Sequence, residues 1–212
     1  MKNGNTIFFK NVPVISSYAA VCGSKESAGI LGSYADVTLQ DDMYGESTFE
    51  KAERKMLSTA ISLCIEKSGC KENDVDLMLS GDLLNQIISA SFAARSFKFP
   101  FIGVYSACST MSESILLGAM MTDGKYCKRA VAATGSHFAS AERQYRYPLE
   151  LGCTRPPQAQ WTVTGAGGCM ISSGGRGIKI VNGTMGRVID FGVTDVNNMG
   201  AAMAPASAII EP

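Results

Sequence analysis

The feature that most constrains this chain is an alternation. Short apolar runs of strand length are separated by segments with helical periodicity, through most of the sequence. Residues 5–21, Val75 to Ser80, Phe101 to Ser106 and Arg129 to Thr134 read as strands, the third of them buried. Between them lies a helix behind Ser47-Thr48-Phe49-Glu50. There Ser47 can cap the Glu50 amide, Ala52, Met56, Ala60, Ile61 and Cys64 recur at helical spacing, and Gly69 supplies the stop. Further helices are expected over Leu84 to Phe97 and Thr110 to Thr122. Two long β-rich runs follow, Trp161 to Ser173 and Gly177 to Asp190. Their spacing predicts a hairpin around Gly174-Gly175. Strands alternating with helices predict an α/β fold, a mainly parallel sheet covered on both faces, with the closing pair as a mixed edge. No repeat or low-complexity tract interrupts it.

Composition narrows the function classes. Apolar residues make up 46% of the 212 and charged residues 18%, which suits a sizeable core and not a disordered chain. Lys plus Arg and Asp plus Glu are both 19, so there is no basic excess for nucleic acid and little self-repulsion against association. The seven cysteines, at 22, 64, 70, 108, 127, 153 and 169, include no C-x-x-C pair. Free thiols in a reducing compartment are the simpler reading, with no zinc site and no disulfide framework. No apolar run is long enough to span a bilayer, and no signal pattern opens the chain. A soluble protein made in the cytoplasm is expected, with peripheral membrane attachment left open.

The segment Phe101-Ile-Gly-Val-Tyr-Ser-Ala-Cys108-Ser-Thr-Met-Ser-Glu113 carries the most chemistry. It places Cys108 on a strand-to-helix turn, with Thr110 and Glu113 as a second capping box. Helix-terminal amides favour a thiolate there, below the free value of ~8.5. The competing reading is a small buried core residue. His137, the one histidine, follows another strand end. It is either a structural hydrogen bonder or a neighbour of Cys108. Arg143 and Arg146 suit carboxylate or phosphate recognition, against a plain solvated loop. Asp82, after Val75 to Ser80, reads first as a helix cap and second as a ligand contact. Thr164-Gly165-Ala166-Gly167-Gly168 lacks a following helix, so close backbone packing or a bulge explains it better than a phosphate loop.

These features together resemble the thiolase-like superfamily, and more narrowly its stage V sporulation protein AD family. The matching segments are DDMYGE at 41–46, EKAERK at 50–55, SGDLLNQ at 80–86, SACSTMSES at 106–114, AERQYRYP at 141–148, TVTGAGG at 162–168, and GRVIDFGVTD followed by NMGAAMAP at 186–205. They run in family order over nearly the whole chain. The resemblance implies a thiolase-like α/β/α half with a five-stranded sheet, forming one domain over 1–212, its second half absent or truncated. The apolar surface that half would cover invites self-association.

It also implies a sporulation role: binding of dipicolinic acid, or its calcium chelate, for uptake into the developing spore. Asp82, Cys108, His137 and Arg143 are carried over as the ligand pocket, with no metal site and no cofactor. Expected partners are the other spore uptake proteins at the spore inner membrane, and a second copy in a full-length homodimer. Two alternatives stay open. One is a ketoacyl synthase-like acyltransferase with Cys108 as acyl acceptor, although the histidines of that chemistry belong to the second half. The other is an assembly scaffold.

Overall fold

A computed structural model describes residues 2–146, 154, 161–195 and 197–208. The elements are, in order, β1 (Lys2–Asn3), β2 (Thr6–Phe8), β3 (Val14–Cys22), α1 (Ser24–Ser27), β4 (Val37–Thr38), α2 (Phe49–Lys67), β5 (Leu77–Gly81), α3 (Ile88–Ala94), β6 (Phe101–Gly103), α4 (Thr110–Asp123), β7 (Arg129–Ser136), β8 (Gly165–Ser172), β9 (Ile178–Lys179), β10 (Asn182–Thr184) and α5 (Met199–Ala208).

The main sheet has the order β4-β3-β8-β7-β5-β6, with β9 also on β3. β4 on β3, and β7, β5 and β6 among themselves, are parallel; β8 is antiparallel to both β3 and β7. The α/β class stands, but two details of the expectation are corrected. Seven strands form this sheet among the described residues, not five, because β4 and β9 are two residues each and too short to show a period. The antiparallel element is not an edge: β8 lies in the middle. A second antiparallel sheet joins β1, β2 and β10.

Side chains alternate across each strand, so one strand feeds two cores. Met78, Val131 and Met170 meet Met56, Leu57 and Ile61 of α2 on one face. Leu77, Leu79 and Ala130 meet Leu117 and Met121 of α4 on the other. Ala132, Cys169 and Ile171, with Met111 and Ile115 of α4, continue that second core. α3 lies beside α2, against β5, β6 and β7. Beyond α4 the cover is thinner: Ile15, Tyr18, Met111, Ile115 and Ile178 line a shallow apolar hollow.

Local chemistry explains the ends of α2. Thr48, in extended backbone, caps it by accepting the Lys51 amide at 3.3 Å. The expected cap was Ser47; two adjacent hydroxyls compete, and the one whose backbone turns extended wins. Ser47 instead accepts from Lys51 Nζ. Gly69, at φ +71, stops the helix in the left-handed region as expected. The second expected capping box is absent: Ser109 precedes α4 with no side-chain cap, and Thr110 is already helical.

Three further expectations change. β6 is an edge strand with Ile102 half-exposed, not a buried one, because an apolar run looks the same at an edge and at a centre. The helix expected over Leu84 to Phe97 shortens to Ile88–Ala94, since Gln86 and Ile87 hold positive φ. The β8 hairpin does not form. After Ser172 the chain rounds the start of β3, and β9 pairs with β3 on the edge opposite β8. The expected close packing holds at one glycine of β8: a Cβ on Gly165 would lie 2.6 Å from the Val21 carbonyl oxygen, whereas on Gly167 and Gly168 its nearest neighbours would be at an ordinary 3.9 and 3.5 Å. The proline loop expected around Pro148, Pro156 and Pro157, and Cys153, lie outside the described residues.

Gly81 ends β5 where β6 and α4 converge. A Cβ there would sit 1.8 Å from the Val104 carbonyl oxygen and 2.9 Å from Thr110 Cγ2. Gly81→Ala is expected to cost about 1–3 kcal/mol by overpacking. A lowered urea midpoint checks this; an unchanged midpoint would refute the crowding.

Candidate functional site

A cleft of about 430 Å³ opens at one end of the main sheet. The carboxyl ends of β3, β5 and β7 reach it through Cys22, Gly81 and Ser136, and β8 enters it through Gly165. Strand ends of an α/β sheet present backbone and side chains to solvent at one level, which is where such folds bind ligands. Ala107, Cys108 and Met111 from the start of α4 form one wall, Gln144 and Tyr145 another, and Trp161 to Val163 a third.

Cys108 sits in a single 3-10 turn, Ala107–Ser109, directly before α4. Among the described cysteines it alone is exposed. Burial pushes the thiols of Cys64 and Cys169 up to about 11 and about 12, and raises Cys22 and Cys127 as well. The turn is held from behind: the Thr110 hydroxyl donates to the Ala107 carbonyl at 2.8 Å and accepts the Ser106 amide at 3.2 Å. Ala107 takes φ +47, a left-handed conformation that costs an alanine energy and that this bonding sustains.

Asp82 takes the first of its expected roles, the helix cap, at a position on the cleft. It is 2% exposed and lines the cleft. Oδ1 accepts the Leu84 amide at 2.8 Å and Oδ2 the Ala90 amide at 2.6 Å. It therefore caps α3 from six residues before the helix starts, where the local N-cap, Ile87, has no side-chain acceptor. Burial raises its carboxyl above the usual range, against these two amides.

His137 lies behind the cleft and not on its wall. It is 1% exposed, and both ring nitrogens are used. Nδ1 accepts the Ala139 amide at 3.0 Å, so Nε2 carries the hydrogen and donates to the Asp42 carbonyl at 2.9 Å. Its ring packs on Phe49 at 5.0 Å. Arg143 is exposed in a 3-10 turn, next to the wall residues Gln144 and Tyr145. Arg146 donates from Nη1 to the Ala139 carbonyl at 3.1 Å. The structure thus brings Asp82 and Cys108 into one cleft, leaves Arg143 exposed and off its lining, and buries His137 one layer back.

Sequence reasoning missed two groups. Trp161, the one tryptophan, stacks on Phe138 at 4.2 Å and 12°, with Lys25 Nζ 3.2 Å from its ring centroid. Nothing in the sequence links positions 25, 138 and 161. The second group had a readable mark. Glu53 lies four residues before Leu57 and eight before Ile61, a charge on the apolar stripe of α2. It is fully buried, and Oε2 accepts the Ser140 hydroxyl at 2.5 Å. Burial drives its carboxyl up from 4.5 to about 8, against the Ser140 hydroxyl and assisted by the Asp82 charge.

A family model for stage V sporulation protein AD matches residues 3–211. Stage V sporulation protein AD of Bacillus subtilis (strain 168) is 42% identical over 203 residues, 96% of this chain and 60% of that protein. The chain therefore spans about three-fifths of that relative's length. Among solved structures, a variant of Xanthomonas campestris OleA aligns at TM-score 0.52 and 10% identity, over 78% of this chain and 59% of that one. AbyA1, described as a tetronic acid condensing enzyme, aligns at TM-score 0.50 and 14% identity, over 77% and 56%. At these identities the likeness concerns the fold alone.

Glu53 also sets a pH dependence of stability. Below about pH 4.5 the folded and unfolded chains both hold its proton, and burial carries no ionic penalty. Between there and about pH 8 the unfolded chain releases the proton while the folded one keeps it, so stability falls with rising pH and levels off above. Glu53→Gln is expected to remove that slope. Urea unfolding should show it gaining on the order of 5 kcal/mol over wild type between acid and mildly alkaline pH. Parallel pH–stability curves for the two proteins would refute this.

Proposed function

We propose that this chain, which belongs to the stage V sporulation protein AD family and has a thiolase-like fold, is a dipicolinate-binding sporulation protein that uses the cleft without catalysing a reaction. The observation that carries this reading is the cleft itself, with the chemistry on its walls and rim. A volume of about 430 Å³ falls in the range of small-ligand sites. Its walls are largely apolar, as a flat aromatic acid needs; Lys25 sets a positive charge on the wall residue Trp161, and Arg143 is exposed next to the wall residue Gln144. Carboxylates are recognised by such cations and by free helix-terminal amides.

Several features favour binding over chemistry. An acyl-accepting cysteine needs a base beside it. The chain's one histidine spends both ring nitrogens on backbone groups behind the cleft. Within this reading Asp82 shapes the floor, Cys108 contacts the ligand from the α4 turn, Arg143 pairs with a carboxylate, and His137 supports the wall from behind. The calcium chelate is the form proposed for uptake, with the other uptake proteins and a second copy of the full-length protein as partners. Among the described residues no helix is long and apolar enough to cross a membrane, which fits peripheral attachment at the forespore or spore inner membrane.

Calorimetric titration of dipicolinate tests the assignment. Arg143→Leu is expected to weaken binding roughly 10- to 100-fold, the worth of one charge-assisted hydrogen bond. Cys108→Ala should weaken it by a smaller factor. No heat of binding, or affinity unchanged in both variants, would remove the cleft from consideration.

The exposure of Cys108 at the start of α4 favours one further reading, a condensing enzyme that acylates this thiol. Incubation with acyl-CoA followed by intact-mass measurement separates the two. The binding reading expects no adduct; an adduct lost in Cys108→Ala would establish the transferase.

A further inference from the structure

Among the described residues Glu53 is the most deeply buried charge-bearing one, and no step proposed above uses it. It stands where three parts of the cleft's support meet. From α2 it faces Asp82 at the end of β5, Ser89 at the start of α3, and Ser140 in the turn after β7. Its Oε2 accepts the Ser140 hydroxyl at 2.5 Å. Its Oε1 and the Ser89 hydroxyl are both buried with no hydrogen-bond partner among the described residues. Two carboxyls, Glu53 and Asp82, thus share an interior in which no Lys, Arg or His nitrogen of the described residues makes a salt bridge to either. Glu50, one turn back on α2, adds a third negative charge, and His137 is committed to backbone partners. Two buried carboxylates without a cation repel and are poorly solvated, so one of them must be neutral.

The turn that Glu53 holds matters to the cleft. Ser140 belongs to the segment that runs from His137 to Arg146 and carries Gln144 and Tyr145 to the cleft wall. A second staple joins that segment to the loop after β5: the Glu142 amide donates to the Leu83 carbonyl at 2.9 Å, and Glu142 Oε1 accepts the Asn85 amide at 2.6 Å. Glu142 therefore ties the wall segment to the loop after Asp82, and Glu53 ties the same segment to α2 from the buried side.

We propose that Glu53 is a positioning residue of the cleft, a neutral carboxyl that holds the Ser140 turn against α2 beside the Asp82 floor and shifts that wall when it ionises. Ionisation breaks the Glu53 O–H bond, sends the proton to solvent and leaves a second anion beside Asp82. The new anion repels Asp82, draws water to the unpartnered Oε1 and tightens on the Ser140 hydroxyl, which shifts the segment that carries Gln144 and Tyr145. An anionic ligand then meets both a displaced wall and one more negative charge beneath the floor.

Trp161 makes the clamp observable without any ligand, because it is the chain's one tryptophan and lines the cleft. Its fluorescence is to be titrated with pH in a Cys108→Ala background, which removes the nearby thiol as a source of signal. The expected result is one transition with a midpoint near 8. Glu53→Gln, which keeps the shape and hydrogen bonds of a neutral carboxyl, should abolish it. Ser140→Ala, which removes a donor that favours the anion, should move the midpoint upward.

A flat titration, or a transition that survives Glu53→Gln with circular dichroism unchanged, overturns the proposal. The ligand arm rests on the dipicolinate reading: affinity should fall at least 10-fold from below to above the midpoint in wild type and stay level in Glu53→Gln. Absence of dipicolinate binding alongside an intact Trp161 transition would sink that reading and leave the clamp standing. Dipicolinate affinity that ignores the transition would sink the clamp's role in the cleft.

Discussion

The structure depends on one pairing choice, the insertion of β8 antiparallel between β3 and β7. It joins the N-terminal strand to the β7–β5–β6 group, and without it the two have no common sheet. It also decides where the cleft lies. β8 begins where β3 and β7 end, so Gly165 meets Cys22 and Ser136 at one edge. Such a strand must be narrow, because it is covered by α2 on one face and by α4 on the other. The small residues Gly165–Ala166–Gly167–Gly168 meet that need, and at Gly165 the Val21 carbonyl comes too close for any side chain.

From that pairing follows the position of everything polar. The loops after β5 and β7 emerge side by side, and α2 ends its buried face against both. A carboxyl on α2 therefore meets a carboxyl after β5 and a hydroxyl after β7. The interior holds this group because most of its members are bonded: Asp82 by two amides, His137 by a carbonyl and an amide, Glu53 by one hydroxyl. Buried polar groups of this kind hold loops in place more than they stabilise the fold. The cleft's walls are loops, so their positions rest on these bonds.

The cleft keeps its thiol apart from the histidine of the chain. Its exposed thiol stands at a helix start, but the imidazole that could activate it points into the core. Lys25 sets a positive charge on Trp161 of the wall, and Arg143 is exposed next to the wall residue Gln144.

Much of this was legible in the sequence, because it depends on local chemistry. The alternation of apolar runs and helical periods specifies the α/β class, Gly69 the end of α2, the Cys108 turn the start of α4, and the family motifs the thiolase-like fold. Glu53 was missed, although a charge on an apolar stripe is a local mark. What the sequence left open was pairing. Two-residue strands such as β4 and β9 have no period to read, and an apolar run does not say whether it is edge or centre, parallel or antiparallel. Only the tertiary structure put β8 in the middle, sent β9 to the far side of β3, turned His137 inward, and brought Lys25, Phe138 and Trp161 together. Those outcomes are set by contacts between residues far apart in the chain, and a local pattern carries no record of them.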